Sequence, residues 1–452
     1  MLFLFLFAEG EGKNAETEHD HSLEGGRSQP SHNSRIPVSG FLSIVFVDRC
    51  LPCPAGVAQM QLPSGKIFLT GATGFVGSQI LRAVLAEGHH VRASCRQPER
   101  QKAHRQIEWI EGDFSKDQDP ELWKERLRGC DAVINSVGII TETSKARFED
   151  LHTSGPIALF QAASELNISR VIQISALGAD ERGTTAYHRT KFAADQELLR
   201  LIPQATVLRP SLIMGKEGKS TKLFATLAAL PVVPLPGKGD FALQPVFIGD
   251  LTSGVLHFLS EPAGGRVDVT GPHPLSYKQM LDRMAESAGL RPLFVSVPMF
   301  LIRAMAGLGI GPLTRDTLAM LERGNTADQV PFAKATGIKL KEATDLPALG
   351  LQLTDLILPA LWPLVRVCIS FLWIWTGIVS LFFFSQEQSF DWLRAVGLPE
   401  RLLLPALVAS SVIDILLGVL LFSRLRSLSY GIQLITVLFY TIVLTFALPD
   451  MW

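Results

Sequence analysis

At 452 residues the chain is long enough for two or three domains. Its 42 Lys and Arg nearly balance 43 Asp and Glu, leaving a formal charge of −1, and there is neither a basic block nor interleaved basic and aromatic residues. A nucleic-acid footprint is therefore excluded. The 47% hydrophobic content exceeds what a soluble enzyme needs, and the excess is concentrated beyond residue 356.

Residues 1–59 are poor folding material. The opening Met1–Phe7 run is apolar but short and lacks a positive flank, so it meets neither the signal-peptide nor the membrane-span pattern. The polar, Gly-, Ser- and His-containing stretch after it is expected to be a disordered extension, or else translation starts at Met60. Five cysteines, Cys50, Cys53, Cys95, Cys130 and Cys368, are too few and scattered for a disulfide framework. Cys50 and Cys53 have no second pair at zinc spacing, and no metal site is expected.

From Lys66 the pattern alternates strand and helix. Lys66–Thr70 suits a buried strand, and after Gly71-Ala-Thr73-Gly74-Phe75-Val76-Gly77 the apolar spacing changes to a helix's at Ile80, Leu81, Val84 and Leu85. In that context each glycine has a job in a dinucleotide fingerprint: Gly71 turns the chain, Gly74 lets backbone approach a pyrophosphate, and Gly77 permits close helix packing. An ordinary glycine-rich turn is the alternative. Strands are expected at 90–94, 107–110, 132–135, 170–175 and 206–208, with helices at 148–166 and 186–201. Such alternation implies a doubly wound parallel sheet covered on both faces. A carboxylate about 20 residues past the glycines would hold the ribose hydroxyls of NAD, whereas arginine tolerates the extra phosphate of NADP. The sequence there is Arg92-Ala-Ser-Cys-Arg96, with no acid until Glu99, which favours NADP(H) over NAD(H).

Tyr187-His-Arg-Thr-Lys191 sets a phenol and an ammonium four apart on one helix face. A nearby ammonium favours the phenolate, which would let Tyr187 exchange a proton with a carbonyl or alcohol. Ser175, at the C-terminal end of a strand, could donate to the same oxygen.

The fingerprint, Ser175 and Tyr187-x-x-x-Lys191 together resemble the short-chain dehydrogenase/reductase superfamily, in its extended or atypical branch. Ile174–Asp180, Leu208–Gly215 and Pro245–Asp250 resemble the subgroup that contains the nucleotide-binding accessory subunit of respiratory complex I. This resemblance implies catalytic Ser175, Tyr187 and Lys191, a cofactor cradle of Gly71, Thr73, Gly74, Phe75, Val76, Gly77, Arg96 and Lys191, Asp113 near adenine, and Asn135 beside the cofactor. It also implies that Phe241–Asp250 leads back to the main sheet. Some members of that subgroup resemble reductases and keep the cofactor mainly as a structural element, so a non-catalytic scaffold or assembly factor stands beside a reductase, with a redox sensor as a third reading.

Three segments, Leu358–Phe384, Leu402–Phe422 and Tyr430–Leu448, are long and apolar enough to span a membrane. Arg366 and Asp414 fall in or near them and are expected to face the bundle interior, each other or a polar ligand, or else Arg366 snorkels to the headgroups and Asp414 bonds to a neighbouring helix. Leu372–Phe382 and Asp414–Gly418 resemble the DoxX-like membrane family, whose members usually carry four helices. The expected architecture is a Rossmann-like domain at 60–325 with a small substrate lobe at 209–325, a linker at 326–355, and an all-α transmembrane domain at 356–452. Residues 298–311 are apolar enough to line a lipophilic pocket, lie on a membrane or pack in a core. A lipophilic carbonyl or quinone-related substrate, membrane lipid and a respiratory or quinone-pathway protein are the expected partners. The expected location is the inner (plasma) membrane, multi-pass, with the Rossmann domain cytoplasmic.

Overall fold

A computed structural model describes residues 65–307, 314–423 and 425–447; the expectations for residues 1–59, including Cys50 and Cys53, lie outside them. The chain opens with β1 (Lys66–Thr70), α1 (Phe75–Ala86), β2 (His90–Cys95), β3 (Ile107–Glu111), α2 (Pro120–Leu127) and β4 (Ala132–Asn135). It continues with α3 (Gly155–Glu165), β5 (Arg170–Ile174), α4 (Ala186–Leu201) and β6 (Thr206–Pro210). A π-helical turn, Glu149–Ser154, leads into α3, so the single helix expected over 148–166 is divided.

The strands form one seven-stranded sheet in the order β3-β2-β1-β4-β5-β6 followed by Gly265–Val269, and every pairing is parallel. The order reverses between β1 and β4, which opens a crevice at the carboxyl ends of these strands. The return to the main sheet is made by Gly265–Val269, paired with β6. The 241–250 segment, expected to make it, instead forms two-residue pairings with Leu275–Ser276 and Ile213–Met214 and then enters the helix Ile248–Ser260.

Two buried clusters cover the faces of the sheet. One joins α1 and the helix Ile248–Ser260 to Ile67, Leu69, Ile134 and Ile172. The other joins α2, α3 and α4 to Phe68, Val133 and Val171. Because a buried parallel strand has apolar neighbours on both sides, these strands read as continuous apolar runs. A third cluster is the core of the substrate lobe, with Val233, Leu235, Met280 and Leu281 at its centre.

Residues 326–355 differ from the linker expected of them. The helix Val330–Thr336 places Phe332, fully buried, in the first cluster, where Gly254 makes room for its ring. Leu346, Leu349 and Leu351 then enter the lobe core, and so does Leu356, already within the next helix. These contacts are long-range, which is why a polar-looking local sequence concealed them.

Three helices in the C-terminal region are long and apolar enough to cross a membrane, over 364–383, 400–420 and 426–443. The first two cross closely at small residues. A Cβ on Gly377 would lie 2.5 Å from the Ser411 carbonyl oxygen, one on Gly418 would lie 2.7 Å from Ile374, and Ser370 donates to the Gly418 carbonyl at 2.9 Å. Arg366 is buried and Asp414 half-buried, yet they form no ion pair with each other or with any other described residue.

Candidate functional site

The glycine turn fits a pyrophosphate. Gly71 has φ +71°, a conformation that favours glycine. A Cβ on Gly77 would sit 2.0 Å from the Gly71 carbonyl oxygen, so α1 can begin this close to the sheet only with glycine there. Gly74 is exposed, and a Cβ there would meet only the Gly71 oxygen, at 3.2 Å; the space beyond it is open. The first turn of α1 has neither a side-chain cap nor an acidic residue, so its N–H groups and the helix dipole remain available to an anion. Thr73 is exposed, and Phe75 and Val76 are half-buried along the start of α1.

Of the other residues expected at the cofactor, Arg96 is exposed just past β2 and makes no ion pair among the described residues. Arg92 points elsewhere: its guanidinium donates to the Arg126 and Arg128 carbonyls and pairs with Glu108. Asp113 is half-buried after β3, where its Oδ1 accepts from the Ser115 N–H and hydroxyl. Asn135, fully buried at the end of β4, has its side chain committed within the sheet. Its Oδ1 accepts from Thr70 at 2.5 Å and its Nδ2 donates to Gln173 at 2.7 Å. Thr70, Asn135 and Gln173 thus tie the ends of β1, β4 and β5 together beneath the crevice.

The Thr185 hydroxyl caps α4, which starts at Ala186. Tyr187, Lys191 and Asp195 follow at intervals of four, on one face. Lys191 is buried and donates to the Ile174 carbonyl at 3.0 Å; burial lowers its ammonium pKa to about 8, against an opposing pull from Asp195. Tyr187 is half-buried, with its ring edge-on to Phe148, His152 and His188. Its hydroxyl has no hydrogen bond among the described residues. Burial first, and the Asp195 carboxylate second, hold this phenol above its ordinary pKa, opposite to the lowering expected from Lys191. Burial is the larger cause, Asp195 adds negative charge beside the phenol, and the Lys191 ammonium donates to the β5 carbonyl instead.

Ser175 is buried just past β5, and its hydroxyl donates to Asp195 Oδ2. Asp195 is fully buried, its Oδ1 has no partner, and burial raises its carboxyl to about 6 despite the Ser175 hydrogen bond and the charges of Lys191, Arg266 and Arg209. Ser175, Tyr187 and Lys191 are therefore each near Asp195, and among the described residues no hydrogen bond joins the three to one another. A buried acid holds the hydroxyl proton of Ser175.

Sequence reasoning passed over Asp195 and His152. Asp195 could have been found as a charge four residues after Lys191 on the apolar face that carries Ala194 and Leu198. His152 is buried in the π-helical turn; its Nε2 accepts from the Ile139 N–H at 3.1 Å, which leaves the proton on Nδ1 facing the Thr190 hydroxyl at 3.2 Å. Burial, with Lys191 beside it, keeps the ring neutral, its pKa lowered to about 2.

The seven-stranded parallel sheet, its crevice and the glycine turn define an NAD(P)-binding Rossmann domain, followed by a helical membrane region. Residues 71–229 match the NAD(P)H-binding family model, and residues 370–452 match that of the DoxX-like family. The chain is 27% identical over 311 residues to NADH dehydrogenase (ubiquinone) 1 alpha subcomplex subunit 9, mitochondrial, of Mus musculus, covering 66% of this chain and 78% of that protein. It is 25% identical over 239 residues to the ceramide reductase of Caulobacter vibrioides, covering 52% and 74% respectively. In fold it resembles the crystal structure of gox2253 (TM-score 0.50, 23% identity, 65% of this chain and 97% of that one). It likewise resembles MoeE5 in complex with UDP-glucose and NAD (TM-score 0.50, 18% identity, 64% and 98%). The chain joins an NAD(P)-binding Rossmann domain, related to that respiratory subunit and to reductases of the short-chain type, to a C-terminal DoxX-like domain. It is a membrane protein by that domain and its three apolar helices.

Proposed function

We propose that the chain is a membrane-anchored NADPH-dependent reductase acting on a lipophilic carbonyl or quinone-related substrate. The observation that carries this reading is the placement of Tyr187, Lys191 and Asp195 on one face of α4, with Ser175 opposite, at the carboxyl edge that also holds the glycine turn. Bound NADPH would supply the hydride. Tyr187 would deliver the proton to the substrate oxygen, and a phenol held protonated suits that direction. Lys191 would hold the nicotinamide-side ribose and place positive charge near the phenol, and Ser175 would contact the substrate oxygen. Exposed, unpaired Arg96 at the end of β2, with no carboxylate before Glu99, supports NADPH over NADH. The name of the Caulobacter relative supports a lipid-like substrate.

A cytoplasmic Rossmann domain in the inner membrane is part of the reading, because the cofactor it would bind is cytoplasmic; Arg426, at the start of the third apolar helix, would then lie on that side, and Arg394, between the first two, and Arg401, at the start of the second, on the other. A second reading has one specific observation behind it. The proton of Ser175 is engaged by Asp195 and the phenol is not activated, as suits a cofactor-holding scaffold for a respiratory or quinone-pathway partner; similarity to a respiratory-chain subunit supports it as well.

Titrating the detergent-solubilised protein with NADPH and NADH, and then following NADPH oxidation against a panel of quinones and lipophilic ketones, tests both. The reductase reading expects preferential NADPH binding and turnover that Tyr187→Phe lowers at least about 100-fold with the cofactor retained. Tight binding with no turnover on any substrate would overturn it in favour of the scaffold.

A further inference from the structure

Among the described residues, eight exposed large apolar side chains precede the first spanning helix, and five of them gather at one place. They lie on a two-stranded parallel ribbon, Val232–Pro236 with Leu293–Val297, and on the helix Met299–Gly307 that follows it. Side chains alternate faces along a strand. One face of the ribbon turns Val233 and Leu235 into the lobe core, with Phe294 packed against it. A ribbon at a water-facing surface should be polar on its other face. Here the register pairs Leu293 with Val232, Val295 with Pro234 and Val297 with Pro236, so that face is apolar throughout. Leu293 is 64% exposed, and Phe300, at the start of the adjoining helix, is 69% exposed. Exposed Arg291 and Lys238 flank the two ends. Scattered apolar residues on a surface need no explanation, but a contiguous apolar patch does.

We infer that this face of the lobe is immersed in the bilayer interface, among the lipid headgroups and upper acyl chains. What identifies the occupant as lipid is the attachment of the lobe. The helix Lys219–Ala228, which leads into the ribbon, packs against the first spanning helix. Leu356 of that spanning helix is buried in the lobe core together with Val233 and Leu235. At 1.5 Å of rise per residue, the eight positions from Leu356 to the start of the span at Leu364 cover about 12 Å. The lobe is thus held at headgroup height by a helix that shares its core, and its surface lies within reach of the interface. An apolar face with basic residues at its margin is the composition that settles there, burying its side chains about 5–10 Å deep. This interface would open the lobe directly to molecules dissolved in the membrane, and it holds whether or not the chain catalyses a reduction.

The test uses the full chain in phosphatidylcholine–phosphatidylglycerol nanodiscs, with Cys50, Cys53 and Cys368 changed to serine. Single spin labels are placed at Leu293→Cys, at Phe300→Cys and, as a control on another surface, at Leu122→Cys. Power saturation then compares oxygen with a water-soluble nickel chelate. Labels at 293 and 300 are expected to be at least about fivefold more accessible to oxygen relative to nickel than the label at 122, consistent with interfacial depth. Equal nickel access at all three sites would overturn the inference by placing the patch in water. Exclusion of both reagents at 293 and 300 would also overturn it, because a protein surface rather than lipid would then cover the patch.

Discussion

Changing Asp195 to asparagine should stabilise the protein above neutral pH relative to wild type and reverse that order in acid. The carboxyl is fully buried, and burial lifts it from an ordinary 3.8 to about 6, with the Ser175 hydrogen bond, Lys191, Arg266 and Arg209 pulling the other way. At about 1.4 kcal/mol per pH unit, that rise corresponds to about 3 kcal/mol. A carboxyl with a higher pKa in the folded state binds more protons than the unfolded chain between the two values. Stability therefore falls as pH climbs from about 4 to about 6 and stays lowered above that window. Asparagine has no charge to desolvate and its oxygen can still accept from Ser175, but its buried amide N–H groups lack a partner, which costs about 1–3 kcal/mol. The variant should therefore be more stable than wild type by about 1 kcal/mol near pH 7.5 and less stable by about 2 kcal/mol near pH 4. Urea unfolding of the solubilised full chain at several pH values, followed by tryptophan fluorescence, measures the difference. A gap between variant and wild type that does not change with pH would refute the assignment of a buried, strained charge to Asp195. Reduced turnover on a substrate with this gain in stability would show that the acid is kept for the site rather than for the fold.

Three further outcomes follow from close contacts. Gly77→Ala brings a Cβ to 2.0 Å from the Gly71 carbonyl oxygen, so it should cost about 1–3 kcal/mol and abolish NADPH binding in a fluorescence titration; unchanged affinity would contradict the geometry of the turn. Phe332→Ala empties a fully buried position and should lower stability by about 3–5 kcal/mol, whereas a loss below about 1 kcal/mol would mean that residues 326–355 are a linker after all. Gly418→Val should push the first two spanning helices apart, lengthening the distance between spin labels at exposed Phe371 and Val412; an unchanged distance would rule out the close crossing.

The Rossmann half was legible because each local signal agreed with the tertiary structure. Apolar runs bounded by a glycine turn gave β1 and the start of α1, and the capped amphipathic segment 186–201 became α4 with those limits. What escaped notice depended on distant partners. The α2 sequence Pro-Glu-Leu-Trp-Lys-Glu-Arg-Leu buries only Trp123 and Leu127, too little periodicity to stand out from charged loop. Gly265–Val269 alternates polar and apolar residues because it sits at the edge of the sheet, so it read as part of the lobe. At the site, the residue types Ser, Tyr and Lys were recognisable from their spacing. The direction of their hydrogen bonds was not, since the proton of Ser175 goes to an acid twenty residues later in the chain.

The route of residues 326–356 has a consequence for how the protein is made. This stretch supplies Phe332 to the sheet core and Leu346 to Leu356 to the lobe core, and it ends inside the helix that carries the first span. During synthesis the nucleotide-binding domain cannot complete either core until the chain has reached the point where membrane insertion begins. Closure of the domain and delivery of the anchor are therefore successive events on one short piece of chain. A fragment ending at residue 325 would leave the Phe332 socket beside Gly254 and the side of the lobe core filled by Leu346–Leu356 open, and it should be recovered as an aggregating or degraded species rather than as a free-standing soluble domain.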